Sequence, residues 1–259
     1  MGLSIMGGAF KRRRNLAGLM LLALLAGGCA ASPEAPTVQV PAERQFSEFE
    51  HEGVVYAIDV YDPLEGFNRS VYKFNARFDE FVFLPIVNAY ETVTPDVVET
   101  GVTNFFANID NITTFANSVL QADIEKAVQT FWRFAFNTTV GVLGLFDPAT
   151  ALDIPNHKED FGQTLGHWGV GDGAYLVLPI LGPSNARDAT GLAVDTVAFS
   201  VVDPFNASSI QTEYPPILVL NVINKRKIQS FRYYETGSPF EYDLVRMLYT
   251  KKRRLDIQN

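Results

Sequence analysis

The side chains best suited to acid–base, metal or nucleophilic chemistry are few in this sequence. It contains three histidines, His51, His157 and His167, and a single cysteine, Cys29. None of them lies in an HExxH or CxxC pattern, and no GxSxG motif supplies a serine nucleophile. His167 could act as a general base, but the sequence places no nucleophile or orienting acid beside it, which favours a structural imidazole. We therefore predict no metal site, no cofactor and no enzymatic activity.

The densest glycine cluster lies in residues 160–184, DFGQTLGHWGVGDGAYLVLPILGPS. Its segment GVGDGA at residues 169–174 fits the loose dinucleotide-binding pattern G-x-G-x-x-A, which requires a preceding strand and a following helix. Here a polar segment precedes it and a strand-like segment stopped by proline follows, so nucleotide binding is disfavoured. Glycine at this density indicates tight turns or close backbone approach. The aromatic and apolar residues among the glycines predict a packed, mobile hairpin rather than a solvent linker.

The N-terminal region indicates that Cys29 carries lipid. Residues 11–14 are basic, residues 16–25 are apolar, and small residues lead to the cysteine, as in a secretory signal. This pattern predicts a lipoprotein signal peptide over residues 1–28 and lipid attachment at Cys29. Similarity to bacterial lipoproteins implies a diacylglyceryl thioether and an N-acyl chain there, enough for stable anchoring. Ala30 follows instead of the aspartate that causes inner-membrane retention, which favours the outer membrane.

The composition argues against a nucleic-acid binder. The chain has 21 basic and 29 acidic side chains and a formal net charge of −8, whereas nucleic-acid binders carry basic patches. Hydrophobic residues make up 47% and aromatic residues 12% of the chain, which suits a buried core or a surface kept in lipid. No segment after Cys29 reaches the roughly 18 consecutive apolar residues that indicate a membrane span. Amphipathic helices would therefore have to provide any membrane contact.

Three regions follow from these patterns. Residues 1–28 form the signal peptide, and residues 29–58, with three prolines and many acids, are predicted to be a lipidated flexible tether. Residues 59–259 are predicted to form one mainly α-helical domain. Asp62, Asp123 and Asp147 are candidate helix N-caps. The basic run at residues 251–254 is interpreted as complementing a helix macrodipole.

The first helix of this domain is predicted to be amphipathic. Apolar residues recur at alternating spacings of three and four, which is the helical period. The pattern alone favours a stripe that packs on a protein core over one that faces lipid. The stripe consists of Leu64, Phe67, Val71, Phe74, Phe78 and Phe81.

Polar and aromatic residues next to the glycine cluster are predicted to support the hairpin. Asp160, Arg187 and Asp188 are candidate ion-pair partners that fix its two ends. The complete supporting set is Asp160, Phe161, Gly162, His167, Trp168, Gly173, Arg187 and Asp188.

Several long motifs, in order along the chain, resemble the MlaA (VacJ) family of outer-membrane lipoproteins. The resemblance covers nearly everything from residue 62 to residue 254. The motifs are DPLEGFNR at 62–69, YKFN at 72–75, NF at 104–105, RFxxNTxxGxxGxxD at 133–147, FGxTLGHWGVGxGxYLVLPxxGPSxxRD at 161–188 and FEYDLVRMLYTKKRR at 240–254.

The resemblance implies a mainly α fold in which amphipathic in-plane helices form a ring in the inner leaflet of the outer membrane, with a short glycine-rich hairpin. It implies an amphipathic channel that removes mislocalised phospholipids from the outer leaflet. The implied partners are phospholipid, a trimeric outer-membrane porin, a periplasmic MlaC-like carrier and, through it, an inner-membrane ABC transporter.

The channel and gating positions that the resemblance carries over are Phe74, Asn75, Gly169 and Gly171. Two other functions stay open at this point. One is a lipid-modifying enzyme on the periplasmic face that uses His167, and the other is a purely structural porin-associated lipoprotein. Substitution of His167 or of Gly171 would discriminate among the three.

Overall fold

A computed structural model describes residues 42–49, 51, 58–202 and 215–258. These residues belong to one compact unit, Val40–Asn259. The signal peptide, Cys29 and most of the predicted tether lie outside them. The described helices are α1 (Glu65–Phe78), α2 (Leu84–Val93), α3 (Asp96–Leu120), α4 (Ile124–Thr139), α5 (Pro148–Ala151), α6 (Phe161–His167), α7 (Ala186–Val202), α8 (Pro215–Lys227) and α9 (Glu241–Gln258).

The fold is mainly helical, with one two-stranded antiparallel hairpin among the described residues. Strand β1 (Tyr175–Leu178) pairs with β2 (Gly182–Asn185), so that Tyr175 lies opposite Asn185 and Leu178 opposite Gly182. A π-helical stretch, Asp79–Phe83, joins α1 to α2. The mainly α prediction and the short hairpin are thus confirmed.

Two of the helix starts follow from short polar side chains, as predicted. Asp123 accepts a hydrogen bond from the Lys126 backbone at the start of α4, and Asp147 does the same for Thr150 at α5. Each carboxylate thereby satisfies an amide that the helix leaves without a partner. The N-cap prediction for Asp62 is wrong, because α1 begins at Glu65 and Leu64 occupies its cap position.

The predicted hairpin of residues 160–184 divides into a helix, a loop and the strand pair. Its first part forms α6, because the Asp160 side chain accepts the Gln163 amide at 2.9 Å and caps the helix. The glycines at 169, 171 and 173 occupy the loop between α6 and β1. The two-stranded part of the region therefore begins only at residue 175.

Part of the predicted tether contacts the folded body. A short 3-10 helix, Phe46–Phe49, places both of its phenylalanine rings edge-on against Phe240, with centroids 6.3 and 5.4 Å away. Glu43 pairs with Lys73 of α1 at 2.7 Å. These contacts differ from the expectation of an unpacked chain up to residue 58.

The small apolar core is built around Tyr72 of α1. Its ring meets Tyr233, Tyr234 and Tyr242 edge-on, with centroids 5.0 to 5.7 Å apart, and its hydroxyl donates to Glu241 at 2.8 Å. Edge-on packing suits the quadrupoles of aromatic rings. The core joins α1, the hairpin and the start of α9.

Outside this core, the usual distribution of polar and apolar residues is reversed. On α1, Phe67 is 59% and Phe74 51% exposed, whereas Asn68 and Asn75 are buried. Buried polar and charged side chains outnumber buried apolar ones more than twofold among the described residues. The favoured prediction that the α1 stripe packs on a core holds for Val71 and is wrong for most of the stripe, since Leu64, Phe67, Phe74 and Phe81 are exposed. Within the described ranges, no helix is long and apolar enough to cross a bilayer.

Candidate functional site

A polar cavity of about 1220 Å³ lies among the described helices. Its wall consists of one side each of α3, α4, α7, α8 and α9, together with the segment 156–160. Asparagine, threonine and charged side chains dominate this lining, and few large apolar side chains reach it. The same α3 and α4 expose Phe115, Val119, Val128 and Phe131.

Most charges in the cavity wall are held in ion pairs. Lys126 of α4 contacts Glu159 at 2.8 Å, and Arg133 pairs with Asp147. Burial opposes the charge on Lys126, but the hydrogen bond to Glu159 raises the pKa of its ammonium. These pairs compensate the cost of removing charge from water, so they fix the wall rather than present free charge.

Asp195 of α7 is a wall carboxylate without an ion-pair partner among the described residues. It accepts hydrogen bonds from the Phe161 amide at 2.8 Å and from the Asn117 carboxamide at 2.9 Å. Burial raises the pKa of Asp195, against the lowering effect of these donors. It thus ties α3, α6 and α7 together at the cavity.

An arginine–aspartate cluster fixes the start of α6 and of α7. Arg253 of α9 donates to both oxygens of Asp160 at 2.8 Å and to Asp188 at 2.8 and 3.1 Å. Arg187 contacts Asp188 at 2.9 Å. Burial alone would raise the pKa of Asp188, but the hydrogen bonds and charge of Arg253 hold it below its usual value. A Cβ on Gly162 would lie 2.6 Å from an Asp188 oxygen, so glycine is needed for the cluster to close.

The same cluster holds the glycine loop. Asp172, in the middle of the loop, accepts from Arg187 at 2.9 Å and from Arg254 at 2.8 Å. The two arginines of the basic run at 251–254 therefore hold the cluster and the loop, and α9 continues to Gln258 beyond the run. Its interpretation as a macrodipole partner is wrong.

Two asparagines of α1 bind the free edge of β1. Asn68 donates to the Tyr175 carbonyl at 3.0 Å and accepts from the Val177 amide at 2.9 Å. Asn75 donates to Leu178 at 2.9 Å and accepts from Ile180 at 2.7 Å. Seven helical residues rise about 10 Å, which matches three strand residues. The helix therefore takes the place of a third strand.

None of the four predicted channel positions lines the cavity. Phe74 lies on the exposed face of α1 and stacks on Phe78, with centroids 5.9 Å apart, and Asn75 holds the hairpin turn. Gly169 has φ of +88°, and a Cβ on either Gly169 or Gly171 would meet no atom within 4 Å. Both glycines lie in an open loop beside the arginine–aspartate cluster.

The other predicted hairpin residues have separate positions. Trp168 is 55% exposed, donates from its indole to the Leu120 carbonyl at 3.2 Å, and packs edge-on against Phe161. Gly173 has φ of +71°, and a Cβ at this position would lie 3.0 Å from the side chain of Ala186. His167 is exposed, and no carboxylate within the described ranges lies in ion-pair distance of its ring. No group of three potential metal ligands occurs in those ranges.

Sequence reasoning missed the cavity wall. Its signal was present as asparagines and threonines at helical spacing in α3: Asn104, Asn108, Asn111 and Thr114. A polar stripe of this kind normally indicates a solvent-facing side. The stripe by itself does not distinguish a solvent-facing side from the wall of an interior space.

The fold and the cavity define a class of protein: an α-helical body with polar residues lining an interior space and large apolar side chains on its surface. Such extended apolar surface marks contact with a membrane or another protein. The chain belongs to the MlaA lipoprotein family, whose model matches residues 60–256.

Three similar proteins illustrate this membership, and one of them carries the family's name. The Escherichia coli K12 protein called intermembrane phospholipid transport system lipoprotein MlaA is 36% identical over 138 residues, which cover 52% of this chain and 55% of that protein. An uncharacterised Rickettsia felis protein is 42% identical over 143 residues, and the match spans 57% of its length. A Rickettsia bellii protein, also uncharacterised, is 35% identical over 77% of this chain and 78% of its own.

A solved structure shares the fold. It was described as "Structural basis for maintenance of bacterial outer membrane lipid asymmetry", and it superposes with a TM-score of 0.62 at 27% sequence identity. The match covers 76% of this chain and all of that one.

Proposed function

We propose that this protein is a phospholipid-transport lipoprotein of the outer membrane. It removes mislocalised phospholipids from the outer leaflet through its polar cavity and passes them to a periplasmic carrier. The observation that carries the proposal is the reversed polarity of the body, with a polar cavity of about 1220 Å³ beside exposed aromatic and aliphatic side chains. The E. coli relative is named for intermembrane phospholipid transport, which supports the same substrate.

A body of this kind offers a polar surface to the lipid headgroup and an apolar surface to the acyl chains. Moving a headgroup through hydrocarbon without partners costs several kcal/mol, and exposing acyl chains to water costs about 0.8 kcal/mol per methylene. Asparagine, threonine and paired charges in the cavity would solvate the headgroup. The outward apolar faces would keep the body in contact with acyl chains, so that it sits in the inner leaflet with its helices in the membrane plane as a ring.

We further propose that Cys29 carries the lipid anchor and that Gly169 and Gly171 allow the loop beside the cluster to change conformation as a gate. The loop is open around both glycines, which supports the assignment. A porin scaffold, an MlaC-like carrier and an ABC transporter are proposed from the family resemblance. No covalent step is required, so the protein would not act as an enzyme.

Deletion of the gene tests the proposal. Labelling of amino lipids on intact cells should reveal more phospholipid in the outer leaflet of the deletion strain, and a plasmid copy should restore the wild-type level. His167→Ala should restore it equally well, because no catalytic base is needed. Unchanged labelling in the deletion strain would refute the transport function.

A further inference from the structure

One pair of charges in the cavity wall joins two different helices and is loosely held, whereas the exposed Lys252–Asp256 pair lies within one helix and is closed at 2.6 Å. Asp110 of α3 and Lys225 of α8 are separated by 3.8 Å, and their side chains are 60% and 57% exposed. The Lys126–Glu159 pair in the same wall is closed at 2.8 Å, with side chains only 14% and 6% exposed. The Asp110 carboxylate and the Lys225 ammonium are therefore accessible to a molecule inside the cavity.

A second lysine lies near this pair, and two asparagines line the same cavity. Lys158 also lines the cavity; burial raises the pKa of the Asp110 carboxyl, and the charges of Lys225 and Lys158 oppose that rise. No carboxylate of the described residues lies in ion-pair distance of the Lys158 ammonium. Asn108 and Asn221 line the same cavity, and within the described part of the chain their buried side-chain carbonyls have no hydrogen-bond donor. Two ammonium groups thus lie near one carboxylate in the wall, and unpaired amide oxygens occur in the lining of the same cavity.

We propose that this region binds the zwitterionic headgroup of an aminophospholipid, a phosphodiester joined to an ammonium by a short linker. The Asp110 carboxylate receives the ammonium, and Lys225 with Lys158 binds the phosphate. The inference rests on the proposed transport function and names the lipid class that the cavity prefers.

Charge balance explains why a zwitterion fits better than an anion. When an ammonium and a phosphate enter together, Asp110 exchanges its loose contact with Lys225 for the ammonium, and Lys225 exchanges that contact for the phosphate. Neither side chain is then left desolvated and unpaired. A headgroup without an ammonium would satisfy the lysines but place its phosphate next to an uncompensated carboxylate. Repulsion of this kind discriminates between ligands as effectively as attraction does.

Isothermal titration of the full lipoprotein in detergent tests the site. The probes are dihexanoyl phosphatidylethanolamine, dihexanoyl phosphatidylglycerol and free phosphoethanolamine. We expect the ethanolamine lipid to bind about fivefold more tightly than the glycerol lipid, as one accessible charge pair would produce. Asp110→Asn should bring the two affinities within about twofold. Lys225→Gln should weaken both lipids.

Glu91→Gln and Lys251→Gln are charge-matched controls, because both residues are exposed and lie away from the cavity. They should leave both affinities unchanged, and melting temperatures should show that every variant is folded. Equal affinities in the wild-type protein, or a preference that survives Asp110→Asn, would overturn the proposal. Phosphoethanolamine binding as tightly as the lipid would overturn the lipid as the source of the headgroup.

The failure of this inference can be told from the failure of the transport function. If Asp110→Asn leaves the lipid preference intact while the deletion strain still accumulates outer-leaflet phospholipid, only the headgroup assignment is wrong. If the deletion strain is normal and the protein binds neither lipid, both are wrong.

Discussion

Asn68 and Asn75 show how a single carboxamide can replace a stretch of β-sheet. Each satisfies one carbonyl and one amide on the free edge of the hairpin, and buried backbone groups without partners are costly. The Ile180 residue that Asn75 holds has φ of +69°, a region that β-branched residues rarely adopt. The side chains of α1 thus decide where the hairpin lies.

Asn68→Ala should lower the free energy of unfolding by about 2–4 kcal/mol, because two buried backbone groups lose their partner. Thermal or urea unfolding in detergent measures this. Asn88→Ala on the exposed side of α2 is the matched control, with an expected change within about 0.5 kcal/mol. Equal effects of the two variants would show that the carboxamide does not hold the strand.

Gly169 and Gly171 should respond differently to valine. Gly171→Val enters open space at an ordinary φ, whereas Gly169→Val must adopt φ of +88°, which costs roughly 1–2 kcal/mol. We expect Gly171→Val to melt like the wild-type protein and Gly169→Val to melt lower. If the gate assignment is correct, both variants raise outer-leaflet phospholipid, and a Gly171→Val strain with normal lipid asymmetry would contradict it.

The junction of α6, α7 and α9 depends on one arginine between two carboxylates. Arg253→Gln should destabilise the protein by about 3–5 kcal/mol at pH 7, because Asp160 would lose its cation and Asp188 would keep only Arg187 as a cationic partner. Arg254→Gln is the control. Its side chain is 57% exposed, so we expect a loss of about 0–1 kcal/mol.

Acid should remove the difference between these two arginine variants. The pKa values of Asp160 and Asp188 lie below their usual value, so the stability they contribute is complete above about pH 4 and is lost as pH falls through the folded-state pKa. Without Arg253, protonation relieves the unpaired Asp160 carboxylate instead. Unfolding at pH 7 and near pH 3 should therefore show the wild-type advantage over Arg253→Gln shrinking with acid. A constant gap would mean that the ion pairs do not hold the junction.

The exposed apolar surface of the body should bind membranes without the lipid anchor. Cys29→Ser protein should still float with phospholipid vesicles, because side chains such as Phe67 and Phe81 are 59% and 67% exposed. Replacing both by glutamine should lower the partition coefficient more than tenfold, since each buried aromatic contributes about 1.5–3 kcal/mol.

The control for the vesicle experiment is the neutral double variant Arg77→Gln/Glu80→Gln, from the same helical region, which exchanges an exposed ion pair. It should float like the parent protein. Failure of the unsubstituted Cys29→Ser protein to float would show that the anchor alone holds the body at the membrane.

Much of the local structure could be predicted because it depends on neighbouring residues. The caps at Asp123 and Asp147 needed only a short polar side chain before a helical pattern. The helix of residues 161–167 was missed, since two glycines concealed its period and its stability comes from the cap at Asp160 and from Arg253 of α9. The polar residues near 110 line a cavity and do not interrupt α3, which runs as one helix from Asp96 to Leu120.

Motif order and local periodicity are enough to identify the family and the mainly helical fold and to predict lipid attachment at Cys29. Which side of each helix faces inward follows from packing and could not be read from the pattern. Periodicity defines a stripe such as that of α1 but carries no information about the medium the stripe meets. The structure also brought Asp110 next to Lys225, and Arg253 between Asp160 and Asp188, because side chains from different helices meet only after packing.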